Sequence, residues 1–227
     1  MSTLRAEILE TRLEPGGVGC TLALPHSSRP AAGQYLFAFC AEAGDLLPAA
    51  LFPSSLPSAE MTFSAPVPAG WNAGMTLALR GPLGHGFQLL PGPRRVALAA
   101  LGDTPGALLP LAQSALASGG EVALYARAAP PNLPPQVEVL PLDLLPEAPG
   151  WAHFLAIDAP LAQLADLPQC LGVDGFHPLG CTAQVLARAA MPCAGAGACG
   201  VCAVPTRRGW RLACKDGPVF AWETLGR

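Results

Sequence analysis

The sequence predicts an α+β chain of three successive units: an N-terminal antiparallel β-barrel, a reduced α/β unit, and a small cysteine-rich C-terminal unit. Three observations carry this expectation. Short, partly alternating apolar runs fill residues 1–92, a strand–helix–strand order takes over at 93–172, and four cysteines crowd the unit at 173–227.

In the first unit the strand-like runs are AEILETRL, CTLALPH, QYLFAFCA, EMTFSAPV and MTLALRG. They are divided by PGGVG, SSRPAAG, LFPSSLPS and PAGWNAG, which are rich in turn residues. Several short strands at this spacing close most readily into a barrel or sandwich. In the second unit RRVALAALG reads as a buried strand. PGALLPLAQSALASGG reads as a helix stopped by Gly119 or Gly120, with Asp103 and Thr104 as its cap. EVALYARA, VEVLPLD and HFLAIDA read as further strands and LAQLADLP as a short helix, an order that implies a parallel sheet. In the third unit CTAQVLARA reads as helix-like, and VCAVPTRRGWRLAC as a β-hairpin turning at Arg208–Gly209.

Composition narrows the function classes. Hydrophobic residues make up 51% of the chain and charged residues 13%, enough apolar surface for a packed core. The formal net charge of −3 leaves no basic field for a phosphate backbone, so nucleic acid is not an expected partner. The most apolar stretch, Val96 to Ala126, is broken by Asp103, Pro105, Pro110, Gly119 and Gly120, so no membrane span is expected. The opening MSTLRAEILETRLEPGG carries acidic residues where a signal peptide needs an apolar core. The expected compartment is the cytoplasm, where structural disulfides are disfavoured.

Eight cysteines in such a compartment call for another explanation. Cys20 and Cys40 sit in strand-like runs and read as small core residues, while Cys170 and Cys181 are scattered. Cys193, Cys199, Cys202 and Cys214 follow the pattern C-x5-C-x2-C-x11-C. Plant-type [2Fe–2S] sites use C-x4-C-x2-C with a distant fourth cysteine, because three thiolates on one tight loop must reach two irons. The stretch Ala194-Gly195-Ala196-Gly197-Ala198 has no bulk. Its backbone can wrap a cluster and turn amide N–H groups toward sulfur. The pattern points to a [2Fe–2S] cluster. A zinc site, which usually shows two C-x2-C pairs or histidines at ligand spacing, and four metal-free thiols are the alternatives.

At these residues the chain resembles the electron-transfer subunit of the two-component, NAD-linked dihydroorotate dehydrogenases, within the ferredoxin reductase-like superfamily. Two motifs carry the resemblance: the cysteine segment ending in LACKDGPVF, and GPLGHGF at Gly81 to Phe87. The resemblance implies a flavin-binding barrel, a Rossmann-like nicotinamide-binding α/β unit, and a [2Fe–2S] domain with Cys193, Cys199, Cys202 and Cys214 as ligands. It implies FAD, with Gly81, Gly84 and Gly86 on the flavin side, and NAD(P)H as electron donor. The implied partner is a catalytic flavoprotein subunit of pyrimidine biosynthesis, in a hetero-oligomer. The chain departs from the family in three places. The first cysteine gap is one residue longer, Ala49 to Ser58 lacks the arginine that binds flavin phosphate, and Leu101 to Gly106 keeps two glycines beside Asp103.

No catalytic triad, paired carboxylates or HExxH motif stands out, so no catalytic residue is assigned. His85 reads as an exposed loop residue, Lys215 and Asp216 as turn residues, and Trp210 and Trp222 as aromatics shielding the cysteine segment. The expected function is one-electron transfer between a flavin or NAD(P)H donor and a partner oxidoreductase. The rival expectation is a ferredoxin-like scaffold that has lost its nucleotide cofactors, or a regulatory subunit sensing redox state or iron.

Overall fold

The computed structural model describes residues 4–14, 16–89 and 95–226. Six strands form the N-terminal unit: β1 (Leu4–Glu14), β2 (Gly17–Ala23), β3 (Tyr35–Phe39), β4 (Ala49–Leu51), β5 (Glu60–Phe63) and β6 (Thr76–Leu83). They pair antiparallel in the order β4-β3-β6-β1-β2-β5. The ends of this sheet meet. Pro53, just past β4, bridges Phe63 of β5, and the Ser54 and Ser64 amides donate to Thr62 O and Phe52 O at 2.8 and 3.0 Å. Closure removes the free edges and makes the sheet a barrel. Its interior is filled by Ile8, Leu22, Leu36, Met61, Phe63 and Leu77, with Cys20 and Cys40 buried among them as expected of core thiols.

Strands β7 (Arg95–Ala100), β8 (Glu121–Tyr125), β9 (Glu138–Leu140), β10 (Phe154–Pro160) and β11 (Thr182–Arg188) are mutually parallel. β12 (Ala203–Thr206) and β13 (Gly209–Leu212) form a hairpin, and β14 (Val219–Ala221) adds antiparallel to β11. The mixed sheet runs β14-β11-β10-β7-β8-β9, so strand order reverses between β7 and β10, the switch point where open α/β sheets form a crevice. The β7–β8 crossover contains α1 (Leu109–Ala117), preceded by a 3₁₀ turn at Pro105–Leu108. Gly119, at φ +75°, ends α1 by donating to Leu116 O.

Three local expectations need correction. The helix-like CTAQVLARA is strand β11. Its Ala, Gln and Leu favour a helix in isolation, but seven residues pair with β10 and Val185, Leu186 and Ala187 are buried, so tertiary pairing overrides propensity. The hairpin turns at Arg207–Arg208, one residue early, because Thr206 pairs with Gly209. Thr104 stands at the N-cap position without a side-chain cap bond, and Asp103 reaches Arg127 instead, at 3.5 Å. The expected unit 173–227 contributes β11 and β14 to the mixed sheet and projects the cysteine loop and hairpin between them. One hydrophobic core runs through all three parts, joining Tyr35, Phe37 and Phe52 of the barrel to Ile157, Val185, Cys202 and Cys214. No helix among the described residues is long and apolar enough to cross a membrane.

Candidate metal centre

The site is built by a loop and a hairpin hung from the mixed sheet. After β11 the chain is pinned by buried Met191, then coils through a series of tight turns. The Ala194 amide donates to Met191 O at 3.0 Å, and the Ala196 amide to Cys193 O at 3.0 Å. Gly195, Gly197 and Gly200 take φ near +75°, and Ala194 takes φ +49°. That left-handed backbone turns successive N–H groups inward, which a chain of bulkier residues could not do cheaply. The hairpin supplies the fourth cysteine. Ala203 pairs with Leu212, and the Ala213 amide donates to Cys202 O at 2.9 Å, which returns Cys214 beside Cys202. The x11 spacing is therefore the length of one hairpin.

The structure brings all four sequence-predicted cysteines into one neighbourhood as two pairs. Cys193 lies beside Cys199 and Cys202 beside Cys214, and Cys193 and Cys214 are close enough to sense each other's charge. Among the described residues no group of three or more Cys, His, Asp and Glu is placed to hold a metal ion. Two thiol pairs suit two irons, each taking two protein sulfurs. The Ala198 amide above all, then the Cys199 thiol and the Cys199 and Gly197 amides, hold the Cys193 thiol down at about 6. Burial, then the contact with Cys202, pushes the Cys214 thiol up to about 12, while the Gly197 amide pulls it back. Gly197 N–H thus serves a sulfur of each pair. Four thiols, inward amides and a bulk-free loop fit a [2Fe–2S] cluster, whose sulfurs carry negative charge.

The barrel reaches over this loop. Tyr35 Oη donates to Cys214 O at 3.0 Å across 179 positions of sequence, and Arg80 donates to Ala194 O. Arg80 lies over the Phe37 ring at 5.5 Å, and Phe37 and Arg80 wall the space beside Gly195. Burial and the surrounding thiols push the Tyr35 phenol up, with Cys214 first among the thiols, and Arg80 opposes them. Sequence spacing gives no sign of these contacts, because no local pattern encodes a pairing between β3 or β6 and a loop more than a hundred residues away.

The other singled-out residues sit as follows. A Cβ on Gly81 would meet Leu36 at 2.6 Å, on Gly84 Pro218 at 2.5 Å, and on Gly86 Ala32 O at 2.5 Å, so these glycines allow close approach to protein. The 84–86 loop rests on the segment after Cys214: the His85 amide donates to Gly217 O at 2.6 Å, and its exposed ring meets Asp216 O. Asp216 accepts from the Leu212 amide at 2.8 Å, the expected turn role. Trp222 is buried and donates to His177 O at 2.7 Å, whereas Trp210 is 58% exposed on the hairpin, not the core aromatic expected.

At the carboxyl ends of β7, β10 and β11 lies a cavity of about 290 Å³, lined in part by Gly102, Asp103, Arg127, Asp158 and Arg188. Of the two cations only Arg188 is tightly held. Arg188 makes three bonds of 2.9–3.2 Å to buried Asp158 and lies 4.4 Å over Phe52, and Arg127 faces Asp103. The 49–58 segment adds no cation, and a Cβ on Gly106 would stand 2.7 Å from Ser64 Cβ. The crevice therefore offers a dinucleotide pyrophosphate, which needs cations or open amides, little beyond the exposed Arg127, with Asp103 against it.

Comparison with known proteins agrees with this anatomy. The family described as the iron–sulfur cluster binding domain of dihydroorotate dehydrogenase B matches residues 189–226. No curated protein matches the chain in sequence. Among solved structures, the NADH-dependent reduced ferredoxin–NADP oxidoreductase described for flavin-based electron bifurcation has 17% identity and a TM-score of 0.71. It covers 99% of this chain and 91% of its own. Phthalate dioxygenase reductase, described as modular for electron transfer from pyridine nucleotides to [2Fe–2S], has 13% identity and a TM-score of 0.57, over 94% and 78%. A Neisseria gonorrhoeae ferredoxin–NADP+ reductase with bound FAD and NADP has 15% identity and a TM-score of 0.50, over 75% and 91%. The chain therefore has the fold of these reductases, and its residues 189–226 match the iron–sulfur cluster binding domain of dihydroorotate dehydrogenase B.

Proposed function

We propose that this chain is the electron-transfer subunit of a dihydroorotate dehydrogenase-type complex, with Cys193, Cys199, Cys202 and Cys214 as ligands of a [2Fe–2S] cluster. The observation that supports this is two neighbouring thiol pairs on a loop of left-handed glycines, in a segment that matches an iron–sulfur cluster binding domain. When bound, the cluster supplies one-electron storage and transfer. The chain's residues fix the sulfurs, direct N–H groups at them and keep one side of the site dry with Tyr35 and Phe37. Cys199 and Val201 are exposed at the other side, where a partner's redox centre can approach. Electrons would come from a flavin or NAD(P)H donor and leave to the catalytic flavoprotein subunit of pyrimidine biosynthesis.

The test is iron and acid-labile sulfide quantitation on anaerobically purified protein, with co-expression of a dihydroorotate dehydrogenase catalytic subunit. Two irons and two sulfides per chain, with co-purification, support the reading. A colourless chain that retains zinc refutes it.

A second reading is favoured by the scarcity of free cations at the switch-point crevice, where Arg188 is held by Asp158 and Arg127 faces Asp103. There the barrel and α/β unit act as a scaffold, and the cluster is the chain's own redox centre in a ferredoxin-like adaptor. Flavin extraction separates the two. Cluster absorption without flavin supports the adaptor, and stoichiometric FAD supports the full electron-transfer subunit.

A further inference from the structure

Arg80 lies on β6, in the barrel, yet its side chain ends at the cysteine loop. Three observations there need a common cause. First, its guanidinium donates to Ala194 O, the carbonyl one residue beyond Cys193. Second, Ala194 holds a left-handed backbone, φ +49°, which a Cβ disfavours; among the described residues no other non-glycine residue does so. Third, Arg80 Nε is buried without a hydrogen-bond partner among protein atoms, although a guanidinium is costly to bury. The Phe37 face at 5.5 Å offsets part of that cost but supplies no acceptor. No carboxylate pairs with Arg80 among the described residues.

We propose that Arg80 is a positioning residue for the cluster: it clamps the enlarged Cys193 loop through Ala194 O and sets a half-buried positive charge beside the thiolates, raising the reduction potential. This rests on the proposed [2Fe–2S] ligand set. The surplus residue of the x5 gap lies within 194–198, and the clamp holds the turn at the start of that stretch. The charge has its partner in the four thiolates and sulfides. One electron added to the cluster adds one negative charge and moves no proton or bond, so a fixed nearby cation favours the reduced state. Because the guanidinium is half-buried between barrel and loop, salt screens this effect only in part.

The experiment is anaerobic spectroelectrochemical titration of the full, cluster-loaded chain, with iron transfer to a chelator followed in parallel. Arg80→Met should lower the midpoint potential at both about 0.05 and about 0.5 M salt, with the smaller shift at the higher salt. It should also speed iron loss by about tenfold, as expected for one charge-assisted hydrogen bond. Arg80→Lys should recover part of the potential and less of the retention, since an ammonium keeps the charge but not the planar fork. An unchanged potential in Arg80→Met with full iron content overturns the proposal. Should Arg80→Met hold no cluster, the titration moves to Arg80→Met/Ala194→Gly, whose turn needs no clamp. A recovered cluster of lowered potential supports the proposal, and no recovery overturns it. A wild-type chain without iron and sulfide would instead remove the ligand assignment, an outcome plainly distinct from an unshifted potential.

Discussion

Gly195 and Gly197 share one backbone conformation, φ +75° and +73°, but not one environment, and alanine at each position separates two physical costs. At Gly197 an added Cβ meets Leu212 Cδ1 at 3.5 Å and Lys215 Cδ at 3.6 Å, ordinary contacts, so the substitution pays for left-handed backbone alone. That is about 1–2 kcal/mol. At Gly195 the same strain is joined by a Cβ 2.8 Å from Phe37 Cε2 and 3.1 Å from Arg80 Nη2. Phe37 is buried in the shared core and cannot step aside freely, so overpacking adds about 1–3 kcal/mol. The assay is anaerobic transfer of iron from the loaded protein to a chelator, read as decay of visible absorption. If loss proceeds through loop opening, each 1.4 kcal/mol is about a factor of ten in rate. Gly197→Ala should speed loss by about tenfold and Gly195→Ala by about a hundredfold or more. Equal rates in the two variants, or the reverse order, would refute the reasoning that the loop's glycines are set by backbone sign first and by the barrel wall second.

Other outcomes test the site and its support. Cys202→Ser should lose or destabilise the cluster while Cys40→Ser, in the barrel interior, keeps it; equal iron in the two, by metal analysis, would contradict the ligand set. In the metal-free reduced protein Cys193 should alkylate as a thiolate with a midpoint near pH 6, well below an ordinary thiol at 9.0. A thiol whose folded-state value is depressed adds stability above its unfolded value and loses it as pH falls through the folded one. Metal-free protein should therefore gain stability between about pH 6 and 9 from this group, and a flat profile together with a midpoint near pH 9 for Cys193 would dismiss the amide cradle. Asp158→Ala leaves Arg188 mostly buried and unpaired, with an expected cost of about 3–5 kcal/mol in urea unfolding. A loss below about 1 kcal/mol would show that the ion pair does not hold the crevice closed.

The parts legible in the sequence were those encoded locally. The turn-divided runs of residues 1–92 and the buried runs RRVALAALG, EVALYARA and HFLAIDA needed no partner to be read as strands, because side-chain alternation and apolarity act within a few residues. The four cysteines stood out for the same reason: they fall within 22 residues, separated at first by small Ala and Gly spacers. What the tertiary structure decided was everything that depends on long-range pairing. CTAQVLARA became a strand only because β10 lay open to receive it. Barrel closure rests on Pro53 meeting Phe63, and Arg188 in the crevice is accounted for only once it meets Asp158 across the sheet. Tyr35 and Arg80 joined the cysteine loop across more than a hundred residues, through contacts that are set by how two sheets pack and leave no trace in the spacing of either segment.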